Sequence, residues 1–194
     1  MITLRRNQKG FTLVELAIVL IIIGIIIGGI LKGQGMIKNA KIKRVKTDID
    51  GIVAATYSYQ DRYGFLPGDD PNTRVGTTRL NATGCTGGNG DGLFNQAIEY
   101  PCAWQEIIGA GFVAGDPTQH TENLVAKTSP FGGHYYFRYN GTLGKNYVFV
   151  DNIPYDVARS LDEKYDDGAW NRGDIRASSA YTATSLKDMY WYVF

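Results

Sequence analysis

Histidine, cysteine and proline are scarce in this chain of 194 residues, which has two, two and six of them. His120 and His134 stand alone without metal-ligand spacing, and Cys85 and Cys102 by themselves are too few to build a zinc site. The compact catalytic signatures are missing: no G-x-S-x-G, no H-E-x-x-H and no phosphate-binding G-x-x-x-x-G-K-[ST]. Scattered Ser, Asp and His residues are what any chain of this size contains, so no enzyme is expected. A charge excess is missing too. With 20 Lys+Arg against 19 Asp+Glu, bulk electrostatics favour no polyanionic partner, and nucleic acid is not an expected ligand. No internal repeat or low-complexity tract is present.

What the chain does have is a long apolar run. Phe11 to Leu31 is 21 residues in which Thr12 and Glu15 are the only polar side chains. As a helix it is about 30 Å long, enough to span a hydrocarbon core. A secretory signal has a shorter apolar region and then a small-residue cleavage site, whereas here the chain continues Lys32-Gly33-Gln34-Gly35. A plain N-terminal anchor is the simplest reading, but it leaves Glu15 unexplained, since a carboxylate inside a bilayer is costly. Charge is unevenly spread. Residues 1–47 hold nine basic side chains and one acidic one, so the remainder carries a net negative charge. That split suggests a membrane-proximal basic part and an acidic soluble part.

Beyond the apolar run, Ile42, Val45, Ile49, Ile52, Thr56, Tyr59 and Tyr63 recur at alternating steps of three and four. The spacing predicts one apolar-to-aromatic stripe on a helix, with Lys43, Lys46, Asp50 and Gln60 opposite. Gly64 and Pro67 mark the helix end. Residues 12–63 as one helix would be about 78 Å long. Gly24, Gly28, Gly29, Gly33 and Gly35 mark a stretch expected to bend, loosen or pack closely on a neighbour. After Pro67 a turn-rich loop precedes "CAWQEIIGAGFVAGDP", a short helix with Trp104, Ile107, Ile108 and Phe112 as core candidates. "HYYFRYNGTLGKNYVFV" reads as a hairpin turning across Asn140-Gly141 and Gly144. "PYDVARSLDEKYDDG" reads as a helix with Val157, Leu161 and Tyr165 on one face, and "MYWYVF" as a terminal strand. The expected fold class is α+β: a long N-terminal helix against a small antiparallel sheet.

"KGFTLVEL" followed by the aliphatic run resembles the leader and N-terminus of type IV pilins and type II secretion pseudopilins. The features that carry the likeness are a basic leader (Arg5, Arg6, Lys9), Gly10, the aromatic Phe11, and Glu15 five residues into the cut chain. The head resembles larger pilin-like proteins more loosely, through "YGFLPGDD", "GNGDG", "AWQEIIGAGFV" and "LDEKYDDG" with "GDIRAS". The resemblance implies a leader at 1–10, a membrane and filament-core half-helix at 11–31, an amphipathic half at 32–63 and a pilin-like head at 64–194. It implies a prepilin peptidase cutting between Gly10 and Phe11 and methylating the new amine. Glu15 would then pair with that amine on a neighbouring subunit and set the stagger of the filament. A satisfied pair roughly offsets its desolvation, so Glu15 would act as a register device more than as glue. Lys32 stands about where many major pilins carry a proline, and the cysteine pair lies mid-chain where many pilins close a C-terminal loop. Both departures count against a role as the abundant shaft subunit, so a minor subunit is expected.

The implied partners are other pilin or pseudopilin subunits, the peptidase and the inner-membrane assembly platform. The N-terminus would be cytoplasmic and the head periplasmic, before incorporation into a periplasmic pseudopilus or an extracellular pilus. Six cations between Lys32 and Lys46 against three in the leader argue the opposite topology by charge counting. The need to meet a cytoplasmic peptidase outweighs them. With the head outside the cytoplasm, a Cys85–Cys102 disulfide is the better reading, the alternative being two buried thiols. No cofactor is expected. The calcium candidates are weak. Asn89, Asp91 and Gly92 match three positions of a calcium loop, but Gly87 stands at its first ligand and Glu99 falls one residue late. Asp166, Asp167 and Asp174 form a possible carboxylate cluster that helix capping and turn chemistry explain equally well. A second function class stays open: a membrane-anchored module whose head captures DNA, a surface or an exoprotein.

Overall fold

A computed structural model describes residues 10–71, 85, 87–119, 121–122, 126–182 and 185–192. The elements are α1 (Leu13–Tyr63), α2 (Glu99–Gly109), β1 (Tyr135–Asn140), β2 (Lys145–Ile153), α3 (Tyr155–Tyr165), β3 (Ile175–Ala177) and β4 (Lys187–Tyr192). The chain divides into two compact units, the first ending at Ala40 and the second beginning at Lys41.

In the first unit, α1 is apolar all round from Leu16 to Leu31, and every residue from Gly10 to Lys32 is exposed. The helix runs without a break through all five glycines, and a Cβ added at any of them meets nothing within 4 Å. Within this chain, then, their small size serves no packing contact.

In the second unit, α1 buries the stripe its spacing predicts: Ile42, Val45, Ile49, Ile52, Thr56 and Tyr59, with Tyr63 partly covered. Lys43, Asp50 and Gln60 face solvent, and the half-exposed Lys46 is ion-paired with Asp50 one turn on. Asp48 and Ala55 join the buried face as well. Gly64 ends the helix at φ +85°, with its N–H on the Gln60 carbonyl at 2.7 Å, a left-handed cap that costs glycine little.

The second helix, α2, starts at Glu99, three residues ahead of the segment read from the sequence. Pro101 falls in its first turn, where an amide N–H would have no helical acceptor, so the proline does not stop it. Trp104, Ile107 and Ile108 are buried as expected, while Phe112 is only partly covered. The indole Nε1 of Trp104 donates to the Tyr135 carbonyl at 3.0 Å, which ties α2 to β1.

The sheet is antiparallel in the order β1-β2-β4-β3. The β1–β2 hairpin pairs Tyr135 with Val150 through to Asn140 with Lys145, and it turns over residues 141–144 as the sequence predicts. β4 starts at Lys187, two residues before the expected strand, and inserts between β2 and β3. Its alternation puts Met189 and Trp191 on the core side with Phe137, Val148 and Val150. α3 buries Val157, Ala158 and Leu161 against the same core, and Tyr165 is partly covered.

Candidate functional site

At the start of α1, Thr12 and Glu15 form a reciprocal cap. The Glu15 N–H donates to Thr12 Oγ1 at 3.2 Å, and the Thr12 N–H donates back to Glu15 Oε2 at 2.8 Å. The Thr12 hydroxyl donates to the same carboxylate oxygen at 2.8 Å. This is a capping box, T-x-x-E, in which two of the helix's orphan donors are satisfied. It also places a negative charge at the positive end of the helix dipole. Glu15 is therefore oriented within its own chain by Thr12, and Phe11, ahead of the helix, is 83% exposed. The Thr12–Glu15 spacing was present in the sequence, but the reading of Glu15 as an intersubunit residue passed over it. Gly10 and Phe11 lie in irregular chain just before the helix. Arg5, Arg6 and Lys9 of the leader are outside the described residues.

In the head, the "LPGDD" turn organises the glycine-rich loop. Asp69, almost wholly buried, accepts the Gly90 N–H on Oδ1 and the Gly92 N–H on Oδ2, both at 2.7 Å. Burial pushes its pKa up despite those two donors. Gly68, at φ +83°, lies against α2: a Cβ there would stand 2.8 Å from the Ala103 nitrogen, and its own N–H donates to Glu106 at 2.7 Å. Asn89 and Asp91, the calcium-loop candidates, face each other, with Asn89 Nδ2 on Asp91 Oδ2 at 2.8 Å. Asp91 also accepts from the Leu93 N–H and from Asn95 Nδ2. Desolvation opposes its ionisation, but these donors prevail and hold the pKa low. Both oxygens are thus engaged in turn chemistry. Glu99 is fully buried at the head of α2, and its Oε2 accepts from the Asn95 and Gln96 N–H groups. Burial, then the charges of Asp69 and Asp91, raise its pKa above the ordinary range.

At the far end of α3, Asp166 and Asp167 meet Asp162, with one carboxylate oxygen from each within 4.8 Å of the others. The third candidate, Asp174, is exposed and faces Lys145 at 3.9 Å. Asp162, which the sequence reading missed, lies four residues after the buried Ala158, and that spacing could have placed it on the inner face. It accepts the Tyr181 hydroxyl at 2.7 Å and the Gly168 N–H at 3.2 Å. Asp166 Oδ2 accepts the Ile175 N–H and Asp167 Oδ1 the Ala169 N–H. The oxygens of this cluster bind the turn that leads into β3.

Cys85 and Cys102 are joined, with Cα atoms 5.5 Å apart, anchoring Cys85 to α2. The other polar group the sequence reading overlooked is Asp48. Its Oδ1 meets Lys127 Nζ at 2.8 Å and Arg44 Nε at 3.0 Å, and its Oδ2 accepts the Tyr135 hydroxyl at 3.2 Å. This network ties α1 to β1. His134 lies at the start of β1 and His120 is outside the described residues; among the described residues no histidine joins a metal-ligating group.

A capped, uncovered apolar helix followed by a four-stranded α+β head defines a pilin-like architecture. A comparison with protein families matches residues 5–31 to the prokaryotic N-terminal methylation motif. That segment is the class III signal peptide of type IV pilins and pseudopilins, and with the apolar helix it fits membrane anchoring. The motif supports a type IV pilin-like or pseudopilin-like precursor and points to a structural subunit. Comparisons with curated proteins and with solved structures find no match.

Proposed function

We propose that this chain is a minor structural subunit of a type IV pilus or a type II secretion pseudopilus. The observation that carries the reading is the methylation motif on a helix whose apolar surface is uncovered from Phe11 to Leu31. Apolar surface of that extent needs lipid or other helices around it. Prepilin peptidase cuts between Gly10 and Phe11 and methylates the freed amine. The subunit stays in the inner membrane with its head in the periplasm until the assembly platform transfers it to the filament. There, Glu15 pairs with the amine of a neighbour and sets the stagger. In this reading the head needs no metal for its fold, since Asp69, Asp162 and Asp166 hold their turns through hydrogen bonds from backbone N–H groups.

Mass spectrometry of the mature N-terminus tests the cut; a chain beginning anywhere but at a methylated Phe11 overturns it. The capping box makes Glu15 the sharper test. Glu15→Gln keeps the box, since glutamine serves at that position, but removes the charge. If assembly depends on charge pairing, Glu15→Gln and Glu15→Ala both abolish incorporation into filaments. If Glu15→Gln assembles normally, Glu15 is a helix cap and the pairing is wrong. A reporter fused after Leu66 that is active only in the cytoplasm would overturn the topology.

A further inference from the structure

Beside the Asp48 network the head is indented by a pocket of about 460 Å³, within the roughly 300–1,000 Å³ typical of small-molecule sites. All of its described lining belongs to the second unit. Arg44 comes from α1, Trp104 and Ile108 from α2, residues 113–116 from the loop after α2, and Lys127 from the segment ahead of β1. Trp104 and Ile108 are core side chains, so the floor is apolar, and the half-buried Val113 extends it. Gly115 lets the loop lie against that floor: a Cβ there would stand 2.7 Å from Ile108 Cδ1.

The charges around this floor are positioned by the fold. A single oxygen of the buried Asp48, Oδ1, holds both Arg44 Nε at 3.0 Å and Lys127 Nζ at 2.8 Å. One carboxylate thus serves two cations, and one positive charge is left over on that side. Arg44 is tied through Nε alone; among the described residues its terminal amino groups have no partner, and its side chain is 65% exposed. A guanidinium fixed in this way presents its remaining N–H groups as a rigid fork, the shape that grips a carboxylate with two bonds. Lys127, 35% exposed, adds a second cationic donor beside it. The loop after α2 brings the opposite charge. Asp116 is exposed, and donors from Thr118 and Gln119 hold its pKa below the ordinary carboxylate range, so it stays ionised. Inorganic phosphate would meet Asp116 as well as the fork and would leave the apolar floor uncovered. A purely apolar molecule would leave the fork unused. The ligand that uses all three parts is a zwitterion with an apolar body, its carboxylate on Arg44 and Lys127, its alkyl groups on Ile108 and Val113, and its ammonium toward Asp116.

We propose that this pocket binds a short apolar peptide by its free carboxylate, with the peptide's amino group toward Asp116. The claim concerns the head and does not depend on how α1 assembles. The full chain, in maltoside micelles, is titrated with leucyl-leucine by isothermal calorimetry, and saturable binding is expected. Leucyl-leucinamide, which lacks the carboxylate, should bind about tenfold more weakly or less, and Arg44→Gln should weaken leucyl-leucine to the same level, the size of one charged hydrogen bond. Alanyl-alanine, which covers little of the floor, should also bind about tenfold more weakly or less. Acetyl-leucyl-leucine should lose a few-fold, and Asp116→Asn should erase that difference. The remote Arg159→Gln should bind as the wild type does. If Arg44→Gln loses its cooperative melt, Arg44→Lys, which keeps the charge and loses the fork, decides together with the acid–amide comparison on the wild type. The proposal is overturned if leucyl-leucine does not bind, if any of the three comparison peptides matches it, or if folded Arg44 variants bind it unchanged. It is overturned equally if inorganic phosphate at the same concentration displaces the peptide, which would make the pocket a site for anions only.

Discussion

From Leu13 to Lys32 the long helix exposes every residue, whereas between Ile42 and Tyr59 the same helix buries one in nearly every turn. Both stretches are helical and both carry many β-branched residues, so helix propensity does not separate them. The difference lies in how apolar side chains are arranged around the axis. A stripe can be covered by the chain's own head, and residues 42–59 are. A surface apolar on all sides cannot be covered by one small domain, and it calls for a non-aqueous surrounding. The polar groups differ in the same sense. Glu15, in the uncovered half, is held by its own helix end. Asp48, in the covered half, is held by Arg44 of its own helix and also by side chains 79 and 87 positions away in sequence, Lys127 and Tyr135.

The contrast breaks most visibly by truncation. Ile49→Ala should cost the head about 2–5 kcal/mol, read as a lowered unfolding midpoint of the full chain in micelles. Ile22→Ala should leave that midpoint unmoved; an equal loss at both positions would erase the distinction between the halves. Next in size is the disulfide. Cys85→Ser with Cys102→Ser should destabilise the head by about 3 kcal/mol, and reductant should lower the Tm of the wild type but not of this variant. Asp48→Ala follows, at about 1–3 kcal/mol, since it strands the Tyr135 hydroxyl in the interior; Asp48→Asn should recover part of the loss. Thr12→Ala removes one half of the capping box and should fray only the first turn of α1. Amide exchange there should quicken, with the head's Tm unchanged.

The smallest effect is in pH. Asp69, Glu99, Asp162 and Asp188 all have folded pKa values raised, first of all by burial. The native state holds these protons more tightly than the unfolded chain does. Their ionisation therefore penalises the fold above the raised values, and the penalty disappears as pH falls to the ordinary carboxylate range. Asp116 is lowered by the donors of Thr118 and Gln119, and Asp91 by Asn89, Asn95 and Leu93 against its desolvation. Those two contribute stability that is lost only below the ordinary range. The Tm should thus rise slightly on mild acidification from neutral pH and fall on further acidification. A monotonic fall from neutral pH would show that the buried carboxyls do not titrate as described.

Much of this was legible from the residues. The stripe from Ile42 to Tyr59, the end at Gly64 and the hairpin over Asn140–Lys145 follow from periodicity and turn chemistry, which act over neighbouring positions. β3 was not legible, because three residues carry no period, and Ile175–Ala177 is a strand only through its pairing with β4. The early start of α2 was hidden by Pro101, which looks like a breaker until its place in the first turn is known. Asn89 and Asp91 suggested a calcium loop because ligand spacing is local. That Asp69 takes the Gly90 and Gly92 N–H groups is a contact across 21 and 23 positions that no spacing encodes.

By itself the sequence determined the methylation motif, the apolar run, the amphipathic stripe and the α+β class, since each rests on short-range pattern and on how water treats apolar side chains. The tertiary structure alone decided that β4 enters between β2 and β3, that Asp162 and not Asp174 meets Asp166 and Asp167, and that Arg44, Asp116 and Lys127 line one pocket. Those outcomes depend on which distant segments come together. Strand order and register are set by the packing of the whole core, and the identity of the residues next along the chain does not contain them.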